Sequence, residues 1–378
     1  MKQTNHFLSS ALWFTLFIAF FSGLHLHLLH GTEIHSNREK SLNIYFVTCL
    51  GDQLFSKLPY ICADQDDCAK PTYHFKLACE RLGHRFNLCT FEELRQHVKE
   101  ADYIFSFNMI PTDILPTLEA IDPTLSQKLI IAVTEPHHVM RTNHCPELRK
   151  YCYKILTWDD TMVDNQIYFK RYFVQSSLDM IADIPSFSEK KLCTLICGNK
   201  YSGDPHELYS KRREAIAYFT GAHPNDFMFY GMNWQGWGFS SYGGVVESKT
   251  EAMKHYKFCI CYENCEKLYG YITEKIFGCF IAGCVPIYWG SENIQDYIPK
   301  ECFIDRREFD SYEELDQFIS SMDEAEYQKY LDNIRLFLQS EKACPFSIDN
   351  FVFSMLNSMK TPGNHIFLGD QLRHFEDR

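Results

Sequence analysis

Apolar positions along this chain fall into short blocks separated by polar or glycine-containing breaks. Asn43–Cys49, Asp102–Phe107 and Lys128–Thr134 are compact apolar runs of the kind that form strands buried on both faces. Between them, Lys70–Leu82 reads as a helix stopping at Gly83, with His84–Cys89 extended after it. Thr90 then caps a helix, and Glu93 three residues on completes a capping box, in which each side chain satisfies the other's backbone amide. The second half repeats the alternation. Leu192–Cys197 predicts a strand, and Asp204-Pro205-His206-Glu207 supplies an N-cap, a first-position proline and a Glu for a helix running to Phe219 and ending at Gly221. Phe258–Tyr262, Thr273–Ala282 closed by Gly283, and Val285–Trp289 make a strand–helix–strand unit. Ser311-Tyr312-Glu313-Glu314 opens another helix, and the chain to about Met359 is mostly helical, whereas Gly231–Gly244, rich in Gly and aromatic residues, predicts a loop. Strands alternating with helices of this length imply parallel sheets covered on both faces. The pattern breaks at 176–190, around Pro185, which divides the chain into two α/β domains.

The N-terminus has a different pattern. No Asp, Glu, Lys or Arg lies between Lys2 and Glu33, and Phe7–Leu29 reaches the ~20 residues needed to span a bilayer core. An uncleaved membrane anchor is favoured over a cleaved signal peptide, because no small-x-small cleavage site follows the apolar run. The expected layout is a short tail and transmembrane helix over 1–31, a polar stem over 32–40, domains over 41–185 and 186–360, and a tail over 361–378. Lys2 on one side and Arg38 and Lys40 on the other leave the orientation open.

Composition narrows the chemistry. Of 378 residues 46% are hydrophobic and 23% charged, a globular balance, and a net charge of −12 disfavours nucleic acid as a partner. Any phosphate must therefore be held by a local site. The 16 cysteines are scattered, and Cys259, Cys261, Cys279 and Cys284 sit within apolar runs where a thiol packs as a small hydrophobe. Cys259-x-Cys261-x-x-x-Cys265 is a soft-metal pattern that on a strand reads more simply as core. No N-x-Ser/Thr acceptor with an allowed middle residue is present.

Tyr256–Asp305 carries the chemical signal. Thr273 caps a helix whose first free amides suit an anion, and Lys275 in its first turn opposes the helix dipole, a misfit that an anionic ligand would relieve. Two open α/β domains facing a cleft suit a nucleotide sugar. Tyr256-Lys257-Phe258-Cys259-Ile260-Cys261-Tyr262-Glu263-Asn264, then Gly270-Tyr271-Ile272-Thr273-Glu274-Lys275-Ile276, then Val285-Pro286-Ile287-Tyr288-Trp289-Gly290-Ser291 resembles the α1,3-fucosyltransferase signature, closest to its bacterial members. The similarity continues through Tyr297–Lys300 and Phe303-Ile304 into Phe309, strong over some fifty residues and weak over the rest after residue 40.

That resemblance implies a GT-B fold of two Rossmann-like domains, the first on the acceptor side and the second binding GDP-fucose, and transfer of fucose with inversion. The implied product is an α1,3-linkage to GlcNAc or Glc in a galactose-containing oligosaccharide or glycoconjugate. Carried over position by position, Glu263, Asn264, Tyr271, Thr273, Glu274 and Lys275 would line the donor pocket, with Lys275 neutralising a diphosphate oxygen and Glu274 accepting from donor sugar hydroxyls. In Lys211-Arg212-Arg213-Glu214-Ala215, Arg213 matches the phosphate-gripping arginine best, and Arg212 takes that role if the register shifts by one. Glu135, just past the Ile130–Thr134 run, matches the general base, with His137 and His138 as alternatives or assistants. A fixed cation and amide cradle makes a metal or other cofactor dispensable, and Asp64-Gln65-Asp66 reads as surface charge. The anchor implies a Golgi-type location in a eukaryote and the inner membrane in a bacterium. Rival readings are a GT-B transferase with another nucleotide sugar and a silent glycan-binding membrane protein.

Overall fold

A computed structural model describes residues 40–48 and 69–359. The apolar N-terminal run, Asp64-Gln65-Asp66 and the tail from 361 lie outside the described residues. Among the described residues, no helix is long and apolar enough to cross a membrane.

Two parallel sheets form the framework. The first has six strands in the order β2-β1-β3-β4-β5-β6: β1 (Asn43–Val47), β2 (Arg85–Cys89), β3 (Tyr103–Phe107), β4 (Leu129–Ala132), β5 (Lys154–Thr157) and β6 (Tyr168–Lys170). Helix α1 (Ala69–Arg81) links β1 to β2, α2 (Leu94–His97) precedes β3, and α3 (Leu115–Ile121) precedes β4. The second sheet has five strands in the order β11-β10-β9-β7-β8: β7 (Lys191–Ile196), β8 (Phe227–Tyr230), β9 (Tyr256–Tyr262), β10 (Val285–Trp289) and β11 (Ile304–Asp305). Its helices are α4 (Tyr209–Ala222), α5 (Lys249–Met253), α6 (Glu274–Ile281), α7 (Tyr312–Ser321) and α8 (Glu324–Leu338). Every strand pairing is parallel.

The apolar blocks explain the interior. All five residues of Phe258–Tyr262 are at most 4% exposed, because β9 is central in its sheet and covered on both faces. Cys193, Cys259, Cys261, Cys279 and Cys284 are buried in that core, and the described cysteines are free thiols. A final helix, α9 (Ile348–Ser358), returns to the first sheet, where Phe351, Val352, Met355 and Leu356 share a core with Phe75, Ala78 and Cys79 of α1.

Some elements depart from the pattern reading. Strands β5, β6 and β8 and helix α3 are only three to seven residues long, too short for a period to identify them. Helix α4 begins at Tyr209, after an N-cap Leu208 whose side chain makes no capping bond. Asp204 does not cap it, because its carboxylate accepts from the His206 amide (2.9 Å) and from His137 Nε2 in the first domain (2.8 Å). The helix also continues through Gly221 to Ala222. By contrast, Glu93 does bond the Thr90 amide (2.7 Å) as a capping box requires, although the helix it opens is a single turn.

Strand order reverses between β1 and β3 in the first sheet and between β7 and β9 in the second. A crevice opens outside the carboxyl ends of strands at such reversals, and ligands of open α/β sheets lodge there. The segments leaving β3, β4, β7 and β9 supply the residues described next.

Candidate functional site

At the end of β9, Glu263 is fully buried (0% exposed) and its carboxylate is held by three donors. Thr273 gives its amide (2.8 Å) and its hydroxyl (2.9 Å), and Lys275 gives Nζ (2.9 Å). Thr273 is the N-cap of α6, and Lys275 Nζ also reaches its hydroxyl (2.9 Å). A cation in the first turn of a helix is unfavourable by itself. Here the buried carboxylate supplies its counter-charge from within the fold. The close fit depends on Gly290, since a Cβ there would lie 2.4 Å from Glu263 Cγ.

Burial works against the Lys275 ammonium, but Glu263 and Glu274 outweigh it and hold its pKa above the usual lysine range. Burial likewise pushes the Glu274 carboxyl upward, but the adjacent Lys275 charge, its own backbone amide, Lys249 and Thr273 together reverse this and hold it below the usual glutamate range, so Glu274 stays ionised. The two side chains, each 29% exposed and 3.7 Å apart, present a fixed cation and a fixed anion at the mouth of the crevice.

The two arginines of α4 part company. Arg212 is 5% exposed and turned inward, donating to the Tyr262 carbonyl (2.7 Å) and to Asn264 Oδ1 (3.1 Å), and its charge is felt by Lys275. Arg213 points to the rim, donating to the Lys200 carbonyl (2.7 Å), with its guanidinium 4.2 Å from the centre of the exposed Tyr201 ring. Asn264 passes the connection on, giving Nδ2 to the Tyr271 hydroxyl (3.3 Å).

Tyr271 is 2% exposed and sits inside the core of the first domain, 4.8 Å from Trp158 and 5.5 Å from Phe173 between ring centres. It joins the domains, whereas Glu274 and Lys275 stay partly exposed at the crevice. Next to it Gly270, at φ +80°, lies so close to the first domain that a Cβ would fall 2.4 Å from the Trp158 carbonyl oxygen. Beside this joint Asp160 accepts from Lys170 (2.6 Å) in its own domain, and from Asn293 (2.8 Å) and Tyr297 (2.7 Å) in the second. Burial would raise the Asp160 carboxyl, but Lys170, Asn293 and Tyr297 hold it below the usual aspartate range.

Glu135 enters from the first domain, on the segment leaving β4. Its carboxylate is half-buried and makes no hydrogen bond among the described residues. The charges acting on it come from across the crevice: Lys275 and Lys200 favour ionisation and Glu274 opposes it. Burial dominates and raises its pKa above the usual glutamate value. The backbone around Glu135 is fixed by two residues with no sequence signature, Asn108 and Asn143 (3.0 Å each, to its amide and carbonyl). His137 is committed to Asp204 across the crevice (2.8 Å). His138 packs edge-on to Tyr209 of α4 (6.2 Å between centres), and burial keeps it below the usual histidine value.

Glu274, Lys275 and Glu135 therefore converge on one crevice, with Glu135 opposite the Glu263–Thr273–Lys275 knot. A group with a raised, unpartnered carboxyl facing a fixed cation and a helix N-terminus can accept a proton on one side while negative charge grows on the other. No three His, Cys, Asp or Glu side chains among the described residues are grouped to hold a metal ion.

Comparison with known proteins agrees with this picture. Residues 229–342 match the family model "Glycosyltransferase family 10 (fucosyltransferase) C-term". The chain is 40% identical over 81 residues to an alpha-(1,4)-fucosyltransferase of Arabidopsis thaliana, covering 21% of this chain and 20% of the relative. It is 38% identical over 78 residues to the alpha-(1,3)-fucosyltransferase FucT of Helicobacter pylori, covering 20% and 16%. The aligned stretch thus spans a fifth or less of the length of these curated relatives. A solved alpha1,3-fucosyltransferase structure superposes with a TM-score of 0.54 at 15% identity, covering 88% of this chain and 94% of that one. The described chain has the two-sheet fold of that fucosyltransferase, and the segment containing β9, the 263–273 loop and α6 matches the C-terminal model of glycosyltransferase family 10.

Proposed function

We propose that this chain transfers L-fucose from GDP-fucose to a hydroxyl of a glycan, with inversion at the anomeric carbon. The observation that carries the proposal is the placement of Glu135 across the crevice from Lys275 and Glu274, within charge–charge reach of both. Glu135 takes the proton of the attacking hydroxyl, whose oxygen forms the new bond to the fucose anomeric carbon. The bond to the donor's β-phosphate oxygen breaks, and the negative charge released onto GDP is met by Lys275 and the free amides of α6. Arg212 lies on the inner side of that phosphate site and Arg213 on its rim; Glu274 accepts from fucose hydroxyls. In-line geometry of this kind needs no metal, because protein cations and amides take the role. A solved alpha1,3-fucosyltransferase with GDP, which superposes with a TM-score of 0.51 at 15% identity, supports a GDP-linked donor. The linkage proposed is α1,3, to GlcNAc or Glc of a galactose-containing acceptor, and the apolar N-terminal run is proposed to anchor the enzyme in a membrane.

The test is GDP release from GDP-fucose with a panel of galactose- and N-acetylglucosamine-containing acceptors. Acceptor-dependent release that falls by about 100-fold or more, to a residual rate, in Glu135→Gln supports the proposal. Equal release from other nucleotide sugars overturns the donor assignment, and donor binding without turnover on any acceptor indicates the silent glycan binder.

A further inference from the structure

We infer that Asn108 and Asn143 are positioning residues that aim the Glu135 carboxylate, an inference that rests on reading Glu135 as the base. The carboxylate itself has no hydrogen-bond partner among the described residues, so its direction is set by the backbone that carries it. That backbone is gripped from both sides. Asn108 Oδ1 accepts from the Glu135 amide (3.0 Å) and from the Thr134 amide (2.8 Å). Asn143 Nδ2 donates to the Glu135 carbonyl (3.0 Å) and to Asn108 Oδ1 (2.8 Å). Asn143 Oδ1 in turn accepts from the Met109 amide (2.8 Å), and Asn108 Nδ2 donates to the Thr134 hydroxyl (2.7 Å). Three segments, leaving β3 and β4 and the turn at 141–144, are thereby locked into one unit.

Turn geometry alone does not explain this arrangement. Asn108 has φ +61°, a left-handed conformation that Asn and Gly tolerate. Glycine would serve the backbone equally well, yet the amide of Asn108 is spent on partners 26 and 35 residues further along the chain. Asn143 is 5% exposed and both its N–H donors are used. A buried polar network with its members paired is rigid, and rigidity in the shell behind a reacting group keeps that group within the narrow tolerance catalysis needs. Both glutamate peptide groups are fixed while its carboxylate is left open to the crevice.

The experiment uses the full chain, with GDP-fucose and an accepted glycan, and compares the parent with Asn108→Gly, Glu135→Gln and the double variant. Asn108→Gly keeps the turn relaxed and removes only the side chain. A misplacement of about 1 Å costs on the order of 100-fold in rate, so kcat is expected to fall roughly 10- to 100-fold. GDP affinity and the KM for GDP-fucose should stay within about twofold, since the donor site lies on the other domain. In the Glu135→Gln background the same substitution should cost nothing further, because the group it aims is gone. Asn108→Asp retains acceptors but adds a negative charge beside Glu135, and should move the acidic limb of the kcat/KM profile to higher pH. Unchanged kcat in Asn108→Gly, or an equal loss in the Glu135→Gln background, overturns the positioning role and leaves the base in place. Parental kcat in Glu135→Gln itself removes the base, and the positioning role falls with it.

Discussion

Removing the Lys275 ammonium should unfold the site before it says anything about catalysis. Glu263 is fully buried, and the three donors that hold it include Lys275 Nζ at 2.9 Å. Truncating one partner of a buried ion pair costs about 3–5 kcal/mol, because the remaining charge stays desolvated and uncompensated. Lys275 is partly exposed and Glu263 keeps both Thr273 bonds, so the lower end applies, roughly 3 kcal/mol. For a chain of this length each kcal/mol moves Tm by about 2 °C, so Lys275→Met should melt about 6 °C below the parent. Adding Glu263→Gln removes the stranded charge and should restore at least half of that loss. GDP affinity separates the two roles of the lysine. A charge-assisted hydrogen bond is worth about 1.5–3 kcal/mol, or roughly 10- to 100-fold in affinity, and that loss should persist in the double variant after its stability has recovered. Differential scanning fluorimetry and calorimetric titration with GDP read the two quantities. A single variant melting within 1 °C of the parent, on the order of the assay's scatter, would refute the structural half. Parental GDP affinity in the double variant would refute the ligand half.

Three other outcomes follow from the same geometry. Gly270→Ala combines a left-handed φ of +80° with a Cβ 2.4 Å from a backbone carbonyl of the other domain, so it should destabilise by about 2–4 kcal/mol in urea melts, and a cost under about 1 kcal/mol would mean the joint is loose. Because burial raises the Glu135 pKa, the acidic limb of kcat/KM should lie above the ordinary glutamate value of about 4.3 and vanish from the residual activity of Glu135→Gln; a limb that survives the substitution assigns the base elsewhere, to His138 first. Asp160 has a depressed folded pKa, so its stabilisation is complete above the unfolded value of about 3.9 and is lost as pH falls through the lower folded value. The Tm gap between parent and Asp160→Asn should therefore narrow from about pH 5 downward, and a gap independent of pH would show that the Asp160 charge contributes nothing.

Much of the framework was legible because burial on both faces leaves continuous apolar runs, as in β4 and β9. What escaped was set by tertiary contacts. Asp204 has the composition of a helix cap, but His137 from another domain draws its carboxylate away. At the site, Thr273 and Lys275 stood out through helix-end electrostatics, yet the counter-charge of that lysine, Glu263, is 12 residues away and its burial follows only from the close approach of Gly290. Which of Arg212 and Arg213 faces inward is a matter of one residue's rotation about α4, which the apolar pattern of that helix defines too weakly to decide. Asn108 and Asn143 carried no local signal, since every partner they serve is distant in sequence or on another segment.

The return of α9 to the first sheet has a consequence for synthesis. The apolar face of α1, with Phe75, Ala78 and Cys79, is completed by Phe351, Val352 and Met355 near the other end of the chain. On the ribosome, β6 of that sheet emerges long before α9 exists, and at about 5–20 residues per second the interval is on the order of 10–40 s. During it the nascent first domain holds an uncovered hydrophobic patch. The second domain folds as a continuous insert within the first, and α9, the last helix among the described residues, acts as the closing clasp, so premature termination before residue 348 should yield a chain that depends on chaperones even though every described strand of both sheets has been made.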